Sequence, residues 1–393
     1  MTKIILKKGK DDAIRRFHPW VFSGAIQSSS QSPKEGEIVE ICSADGDFLG
    51  NGHYQTGSIA VRVFSFEKSP LKQIFWTEKL RNAYELRKRL GLIGNLNTDC
   101  YRLVHAEGDG FPGLVIDVYG AVAVVQCHSI GMFLSMSQIA AGLQKIYGKK
   151  LTAIYNKSHE TLPDAFAATT KNEYIFGESE LPTAVFENQN QFMINWVTGQ
   201  KTGFFIDQRD NRNLLAKYAK DKTVLNAFCY SGGFSVYALK AGAKSVHSVD
   251  VSAKAIELTE QNVALNFPNN QNHTSHTEDV LQFLKKNELP FDVMIVDPPA
   301  YAKSVDKRHN AVQGYKRLNA MALSQIAKGG ILFTFSCSQV VDKLLFQNTI
   351  MAAALEAKRQ VRILHHLTQP ADHPTNLFHP EGSYLKGLVL LVE

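Results

Sequence analysis

Cys337 is the residue whose type and position most directly suggest covalent chemistry. It follows the apolar run at 331–336, which is typical of a buried strand. A thiolate there could add to carbon 6 of cytosine and turn the ring into an enamine, whose carbon 5 attacks the methyl group of a sulfonium donor. A base must then remove the carbon 5 proton. The alternative is that Cys337 is a small buried hydrophobic residue, as isolated cysteines usually are.

A thiol with an ordinary pKa of about 8.5 needs nearby cations or a hydrogen-bonding pocket to become a nucleophile at neutral pH. The basic segment at 303–317 is a candidate source of that charge. Its basic residues, and a group of six basic against two acidic residues among the first sixteen, also suit the phosphate backbone of a nucleic acid. We expect Lys303, Lys307 and Arg308 to contact the substrate. The alternative for either cluster is a solvated face.

Asp297, Pro298 and Pro299 end another strand-like run and form the second chemical motif. Consecutive prolines fix the backbone and remove two amide donors, leaving carbonyl oxygens and the Asp297 carboxylate as acceptors. That surface matches the exocyclic amino group of adenine, cytosine or guanine. The motif therefore predicts a nucleobase substrate without choosing the methylated atom, and Cys337 favours carbon 5 of cytosine.

The third motif is a glycine-rich turn at 226–234, followed by acidic residues at two later strand ends. Glycines let the backbone approach a ligand, an acid can bind ribose hydroxyl groups, and a later acid can reach the adenine edge. The Gly-x-Gly-x-x-Gly and phosphate-loop signatures are absent from these residues, which favours S-adenosylmethionine over a dinucleotide. The predicted donor contacts are Asn226, Phe228, Tyr230, Gly232, Gly233, Asp250, Asp279 and Asp297.

The elements that must position these motifs follow from hydrophobic periodicity. From residue 204, strands alternate with helices, which predicts an α/β domain with a mostly parallel seven-stranded sheet. The strands are predicted near 223–228, 245–250, 274–278, 291–297, 330–336, 361–367 and 385–392. The proline-rich stretch at 368–384 shows no helix, so the last strand should be antiparallel.

The rest of the chain reads as two further domains. Residues 1–70 form a β-rich module. Residues 71–183 form an α+β domain with helices at 71–90 and 132–147, a hairpin at 113–126 and a strand at 151–156. The domain at 184–393 carries the three motifs. The uncharged stretch at 118–144 is better explained as a strand and a helix than as a membrane span.

The composition of the chain limits which partners it is expected to bind and in which cellular compartment it is expected to act. With 43 basic and 37 acidic residues in 393, total charge says little about a polyanionic partner. The five cysteines show no paired spacing, so we expect no metal site and no disulfide framework. No apolar core of signal-peptide length lies at the start. We therefore expect a cytoplasmic protein that binds no membrane, and a homodimer is left open.

Three segments resemble the bacterial large-subunit ribosomal RNA methyltransferases that make 5-methylcytosine and carry an N-terminal PUA domain. They lie at 18–25 (HPWVFSGA), 102–117 (RLVHAEGDGFPGLVID) and 201–209 (KTGFFIDQR). The resemblance covers nearly the whole chain. It implies a PUA-like RNA-binding domain at 1–70, a central α+β domain at 71–183 and a Rossmann-like class I methyltransferase domain at 184–393.

By the same resemblance, the donor is S-adenosylmethionine, the substrate is large-subunit ribosomal RNA, Cys337 is the nucleophile and Asp297 is catalytic. Gln208 and Arg209 lie in the matching segment and are expected near the carboxylate of the donor. Many 5-methylcytosine enzymes of other families carry a second cysteine in the proline motif, where this sequence has Ala300. The proton-removing group is therefore unassigned, with Asp297 or an ordered water as the candidates. Methylation of guanine or of an exocyclic amine, and a non-catalytic RNA-binding ribosome-assembly factor, are the alternatives.

Overall fold

The computed structural model describes residues 1–302 and 304–393, which fall into two compact units. The first unit comprises residues 1–185, 194–206 and 371–382. The second comprises residues 186–193, 207–370 and 383–393. No helix among the described residues combines the length and the apolar character needed to cross a bilayer.

The first unit begins with a six-stranded sheet in the order β2-β6-β5-β4-β1-β3. Its inward side chains, including Ile4, Val39 and Val61, are fully or almost fully buried, as expected for alternating apolar residues on a sheet face. The elements are β1 (Thr2–Leu6), α1 (Asp12–Arg15), β2 (Trp20–Phe22), β3 (Ile26–Ser29), β4 (Ile38–Cys42), β5 (Phe48–Tyr54) and β6 (Ile59–Ser65).

A five-stranded sheet in the order β11-β10-β9-β8-β7 completes this unit. The predicted hairpin is confirmed by the antiparallel pairing of β8 and β9. The elements are α2 (Gln73–Arg89), β7 (Cys100–His105), β8 (Leu114–Tyr119), β9 (Val122–Cys127), α3 (Ile130–Leu134), α4 (Met136–Tyr147), β10 (Ala153–Asn156), α5 (Asp164–Ala167) and β11 (Glu173–Phe176). A two-stranded hairpin of β12 (Thr183–Glu187) and β13 (Asn190–Ile194) follows.

The helix predicted at 132–147 is interrupted at Ser135, and this part of the prediction was wrong. Ser135 leaves α-helical geometry, and its hydroxyl donates to the Gly131 carbonyl oxygen at 2.9 Å. His53 lies so close to Gly131 that an added Cβ would come within 2.1 Å of its ring. A side-chain hydrogen bond to the preceding turn commonly bends a helix, and the periodicity of the apolar residues does not reveal it.

The second unit is a seven-stranded sheet in the order β16-β15-β14-β17-β18-β20-β19. The first five strands in this order are parallel, and β20 is antiparallel to both of its neighbours, as predicted. The elements are α6 (Arg209–Ala219), β14 (Thr223–Ala227), α7 (Gly233–Lys240), β15 (Ser245–Asp250), α8 (Ala253–Asn266), β16 (His273–Thr277), α9 (Val280–Lys286), β17 (Phe291–Val296), α10 (Arg308–Gln325), β18 (Ile326–Ser336), α11 (Lys343–Glu356), β19 (Val361–Leu367) and β20 (Lys386–Val392).

The strand order reverses at β14, because β15 and β16 extend the sheet on one side and β17 extends it on the other. In open α/β sheets, ligands bind in the crevice at the carboxyl ends of the strands at such a reversal. The turns after β14, β15, β17 and β18 all lie at this edge, because these strands are parallel. They carry the three motifs found in the sequence.

Candidate active site

The turn after β14 depends on glycine at Gly232. Its φ is +71°, and an added Cβ would lie 2.7 Å from the Thr259 side chain, so both the backbone conformation and the available space exclude a larger residue. Phe228 and Tyr230 also have positive φ, at 62° and 46°. At Gly233, an added Cβ would come within 3.0 Å of the Arg212 side chain. The chain thus folds tightly enough for α7 to begin directly at the crevice.

Asn226 braces this turn from below. It is buried, and its amide Nδ2 donates to the Ser235 hydroxyl at 2.8 Å. Ser235 is in turn 2.7 Å from the Ser248 hydroxyl on β15. The side chain that the sequence suggested as a donor contact therefore connects β14, α7 and β15 within the protein.

Asp250 ends β15 and is tied to the same turn. Its carboxylate accepts the Tyr230 backbone N–H at 3.1 Å and the Ser252 backbone N–H at 3.0 Å. Asp250 does not cap the following helix, because the Ser252 hydroxyl caps α8. The carboxylate is partly accessible, and each of its oxygens has a further lone pair. It can therefore accept hydrogen bonds from ribose hydroxyl groups.

Asp279 caps helix α9. Its Oδ1 accepts the Gln282 backbone N–H at 3.0 Å, and the residue is exposed at the end of the strand-to-helix turn. Ordinary N-cap chemistry therefore accounts for one oxygen of this carboxylate. The predicted adenine contact would have to use the other oxygen or the backbone.

Asp297 lies directly after β17, and its Oδ2 accepts a hydrogen bond from the Gln208 side-chain amide at 2.9 Å. Burial, together with the nearby Asp207 charge, raises the pKa of Asp297 to about 7, against the opposing effects of the Gln208 hydrogen bond and the Arg212 charge. The sequence suggested a carboxylate that only accepts. A carboxyl group that is about half protonated at neutral pH can also donate a hydrogen bond. Pro298 is buried and Pro299 is exposed.

Gln208 and Asp207 frame this carboxyl group at the start of α6. Gln208 is buried, and its Oε1 accepts from the Asn211 amide at 2.6 Å. Asp207 was not predicted as a site residue. Its Oδ2 accepts from the Tyr384 hydroxyl at 2.6 Å, and its buried Oδ1 has no hydrogen-bond partner among the described residues. Its only sequence signal is its place directly before Gln208 in the segment at 201–209.

Arg209 and Arg212 are buried on the first turns of α6. Arg212 makes two hydrogen bonds of 2.7 Å to the Glu187 carboxylate, which also accepts from the Tyr237 hydroxyl at 3.0 Å. This buried ion pair holds α6 and α7 against the end of β12. Arg209 lies 3.8 Å from the Asp210 carboxylate.

Cys337 follows β18 and is partly accessible, whereas the other four cysteines are buried. Burial raises the pKa of the Cys337 thiol to about 11, and the charges of Asp297 and Asp207 act in the same direction. Because β17 and β18 are neighbouring parallel strands, these residues lie at the same edge of the sheet. The structure thus brings the predicted nucleophile and the proline motif together.

The cation that lowers the Cys337 pKa among the described residues is Lys386, at the start of β20. The sequence pointed to the segment at 303–317 instead, and sequence proximity to the proline motif was a poor guide to this long-range charge. Lys307 and Arg308 are exposed where α10 begins. Lys303 lies outside the described residues.

Cys229, the other thiol near the motifs, is unsuited to nucleophilic attack. It is buried beneath the donor turn, with its sulfur 3.5 Å from the Thr259 hydroxyl. Burial raises the pKa of its thiol to about 12. Cys229 therefore packs the turn.

Comparison with known proteins agrees with this geometry. Residues 4–66 match a PUA-like domain, and residues 102–379 match an S-adenosylmethionine-dependent methyltransferase. Ribosomal RNA large subunit methyltransferase I of Aeromonas hydrophila is 39% identical over 99% of this chain and 99% of its own length. The chain belongs to the ribosomal RNA large subunit methyltransferase I family.

Solved structures with the same fold include an S-adenosylmethionine-dependent methyltransferase from Streptococcus mutans. Its TM-score is 0.85 at 23% identity, with all of both chains covered. A methyltransferase crystallised with S-adenosylhomocysteine gives a TM-score of 0.86 at 22% identity, again over all of both chains. The predicted fold is therefore confirmed: a β-rich PUA-like domain and a class I methyltransferase domain with a mostly parallel seven-stranded sheet.

The methyl donor of this family is S-adenosylmethionine, and the crevice residues fit it. The turn at Gly232 and Gly233 leaves no room for side chains, and the Asp250 carboxylate has lone pairs directed away from its two backbone donors. When bound, the donor supplies an electrophilic methyl group.

Proposed function

We propose that this enzyme forms 5-methylcytosine in large-subunit ribosomal RNA through a covalent adduct at Cys337. The observation that carries the proposal is the partly accessible Cys337 at the same sheet edge as Asp297. The family relationship supports the RNA substrate. The presence of a thiol beside the base-binding motif supports carbon 5, because transfer to an exocyclic amine needs no covalent nucleophile.

Each bond change has a residue to assist it. The Cys337 thiol first gives up its proton to solvent. Its sulfur then bonds to carbon 6 as the double bond between carbons 5 and 6 opens, while protonated Asp297 donates a hydrogen bond to the polar edge of the ring, where negative charge develops. Carbon 5 then takes the methyl group, and S-adenosylhomocysteine leaves. A carboxylate finally removes the proton from carbon 5, which restores the ring double bond and breaks the bond between sulfur and carbon 6. Asp207 and Asp297 are the described carboxylates whose charges reach Cys337.

Binding of the donor involves the turn from Phe228 to Gly233 together with Asp250, and we assign Asp279, Gln208 and Arg209 supporting roles. The target base must be unstacked or already single-stranded to enter the crevice. Exposed Lys307 and Arg308 are suited to contacts with the flanking phosphates, and the PUA-like domain is suited to the RNA beyond them. The predicted domain boundaries after 70 and 183, the cytoplasmic location and the homodimer remain proposals.

The decisive experiment uses ribosomal RNA containing 5-fluorocytidine. Fluorine at carbon 5 cannot be removed as a proton, so the enzyme should remain attached to RNA through Cys337 once methyl transfer has occurred. We expect a denaturation-resistant complex whose digested peptide carries a modified Cys337. Cys337→Ala should abolish it, and Cys127→Ala, which truncates one of the buried cysteines, should not.

Transfer of labelled methyl to RNA, followed by digestion to nucleosides, identifies the product. Label in N2-methylguanosine or N6-methyladenosine would refute the assignment to cytosine, and near-normal turnover by Cys337→Ala would refute the covalent route. Calorimetric titration with S-adenosylmethionine tests the non-catalytic alternative, because a protein that only assists ribosome assembly need not bind the donor.

A further inference from the structure

The turn that follows β18 is held by a buried lysine from β20. Lys386 is 4% exposed, and its Nζ donates to the Ser338 carbonyl oxygen at 2.6 Å and to the Val341 carbonyl oxygen at 2.7 Å. Lys386 is paired with Ser336 in the antiparallel register of β18 and β20. The ammonium group therefore lies beside the first residues after β18, the segment that begins with Cys337.

The same turn is braced from its other side by neutral groups. The Ser338 hydroxyl is 3.0 Å from the Tyr315 hydroxyl on α10, and the Val341 backbone N–H donates to the Ser338 carbonyl oxygen at 3.2 Å. These contacts shape the turn and add no charge. Lys386 is distinct because it contributes both hydrogen bonds and a positive charge.

An ammonium group has three N–H donors, and the two carbonyl oxygens use two of them. Burial of a lysine costs free energy unless its charge is compensated, and peptide carbonyl oxygens compensate it only in part. A thiolate at Cys337 would supply the missing negative charge. The arrangement is suited to a thiol that becomes an anion during the reaction.

The charges around Cys337 and Lys386 support this interpretation. Burial raises the pKa of the Cys337 thiol. The charges of Asp297 and Asp207 also raise it, whereas the charge of Lys386 lowers it. Burial lowers the pKa of Lys386 to about 8, Cys337 and Asp342 oppose that shift, and Lys343 adds to it. Two carboxylates thus disfavour the thiolate, and one buried ammonium group opposes them.

We propose that Lys386 is a positioning residue, which fixes the turn from Cys337 to Val341 and favours the anionic form of the Cys337 sulfur. The proposal rests on the function proposed above, in which that sulfur attacks the base. It assigns Lys386 no contact with substrate or donor. Its effect is exerted through Cys337 alone.

The test measures the thiol directly and needs no RNA. The full-length protein is treated with iodoacetamide between pH 7 and pH 10, and alkylation of Cys337 is followed by peptide mass spectrometry. Lys386→Met should slow alkylation at pH 8 by about tenfold or more, because a tenfold loss corresponds to a rise of one unit in the thiol pKa. Lys386→Arg retains the charge and should recover part of the rate.

Lys343→Met is the matched control, because it removes a neighbouring exposed cation that makes none of these contacts. Its alkylation rate should equal that of the wild type or exceed it slightly, because Lys343 lowers the pKa of Lys386. Lys386→Gln keeps an N–H donor for one carbonyl oxygen without the charge, and it replaces Lys386→Met if that variant does not fold. Binding of S-adenosylmethionine by calorimetry shows that each variant retains the crevice.

The proposal is overturned if a folded, donor-binding Lys386→Met or Lys386→Gln protein alkylates Cys337 at the wild-type rate throughout the pH range. If Lys386→Arg and Lys386→Met lose the same amount of Cys337 alkylation rate, the charge of Lys386 has no effect on the thiol. Lys386 would then act only through its hydrogen bonds to the turn. Neither result depends on which base is methylated, so this outcome is separable from failure of the cytosine assignment.

Discussion

The donor turn after β14 and the thiol turn after β18 lie at the same sheet edge but are held in different ways. In the donor turn, Tyr230 binds Asp250 and Thr259, which are 20 and 29 positions away in the sequence. In the thiol turn, Lys386 binds carbonyl groups 48 and 45 positions away. The donor turn is largely a product of local backbone geometry, whereas the thiol turn depends on a strand that comes much later in the chain.

Substitution at the thiol side should have the largest effect. Asp297→Asn removes the titrating carboxyl group beside Cys337 while retaining its size, and we expect methyl transfer to fall about 10²- to 10⁴-fold, the usual contribution of a positioned acid or base. Donor affinity should be nearly unchanged. Single-turnover methylation and calorimetry measure the two quantities, and a parallel loss of both would show that the two turns are not separable.

A substitution in the donor turn should weaken donor binding and leave the Cys337 thiol unaffected. Asp250→Ala removes a carboxylate that accepts two backbone N–H groups, and charge-assisted hydrogen bonds of this kind support a loss of about 10- to 100-fold in donor affinity. Alkylation of Cys337 should keep its wild-type pH profile. A shifted profile would mean that the carboxylate also organises the thiol turn.

The steric basis of the donor turn can be tested at Gly232. Gly232→Ala forces an alanine into positive φ and against Thr259, and we expect a loss of about 1–3 kcal/mol in the free energy of unfolding. Gly329→Ala is the matched control, since Gly329 has φ of +79° with open space around its Cα. Urea unfolding measures both, and equal losses would show that conformation alone, without crowding, makes glycine necessary.

Asp297 should also make the stability of the protein depend on pH. Because the Asp297 pKa is raised to about 7 in the folded state from about 3.9 in the unfolded chain, the folded protein binds more protons between these values, and stability falls as pH rises. Asp297→Asn lacks this dependence. It should match the wild type near pH 4 and unfold at higher temperature at pH 8, with a difference of about 4 kcal/mol at most, because each of about three pKa units contributes about 1.4 kcal/mol. An equal difference at both pH values, measured by calorimetry, would argue against the raised pKa.

The contrast between the turns also explains what the sequence could predict. Strands such as 245–250 and 361–367 were predicted with the observed bounds, because β-branched and other strand-favouring residue types act within a single element. The donor turn was predicted because glycine is required there by local conformation. Cys337 was identified by its chemical type and its place at a strand end.

Lys386 and Tyr384 escaped prediction because nothing in their local sequence marks them. Asp207 escaped because its place beside Gln208 in the segment at 201–209 does not by itself assign it a role. Lys386 begins an apolar strand, where a basic residue would ordinarily be taken for an exposed strand end. Its burial follows from the insertion of β20 between β18 and β19. The pairing of Asp207 with Tyr384 spans 177 positions, and no periodicity in either segment reports such a contact.

The insertion of β20 also sets an order of assembly. It follows β18 and β19 in the chain but lies between them, so neither strand can complete its pairing on that side until residues through Val392 have been synthesised. During translation the donor turn can therefore form well before the sulfur acquires its ammonium neighbour. A chain that stops before β20 would therefore lack both the shared neighbour of β18 and β19 and the Lys386 hydrogen bonds to the Ser338 and Val341 carbonyl oxygens.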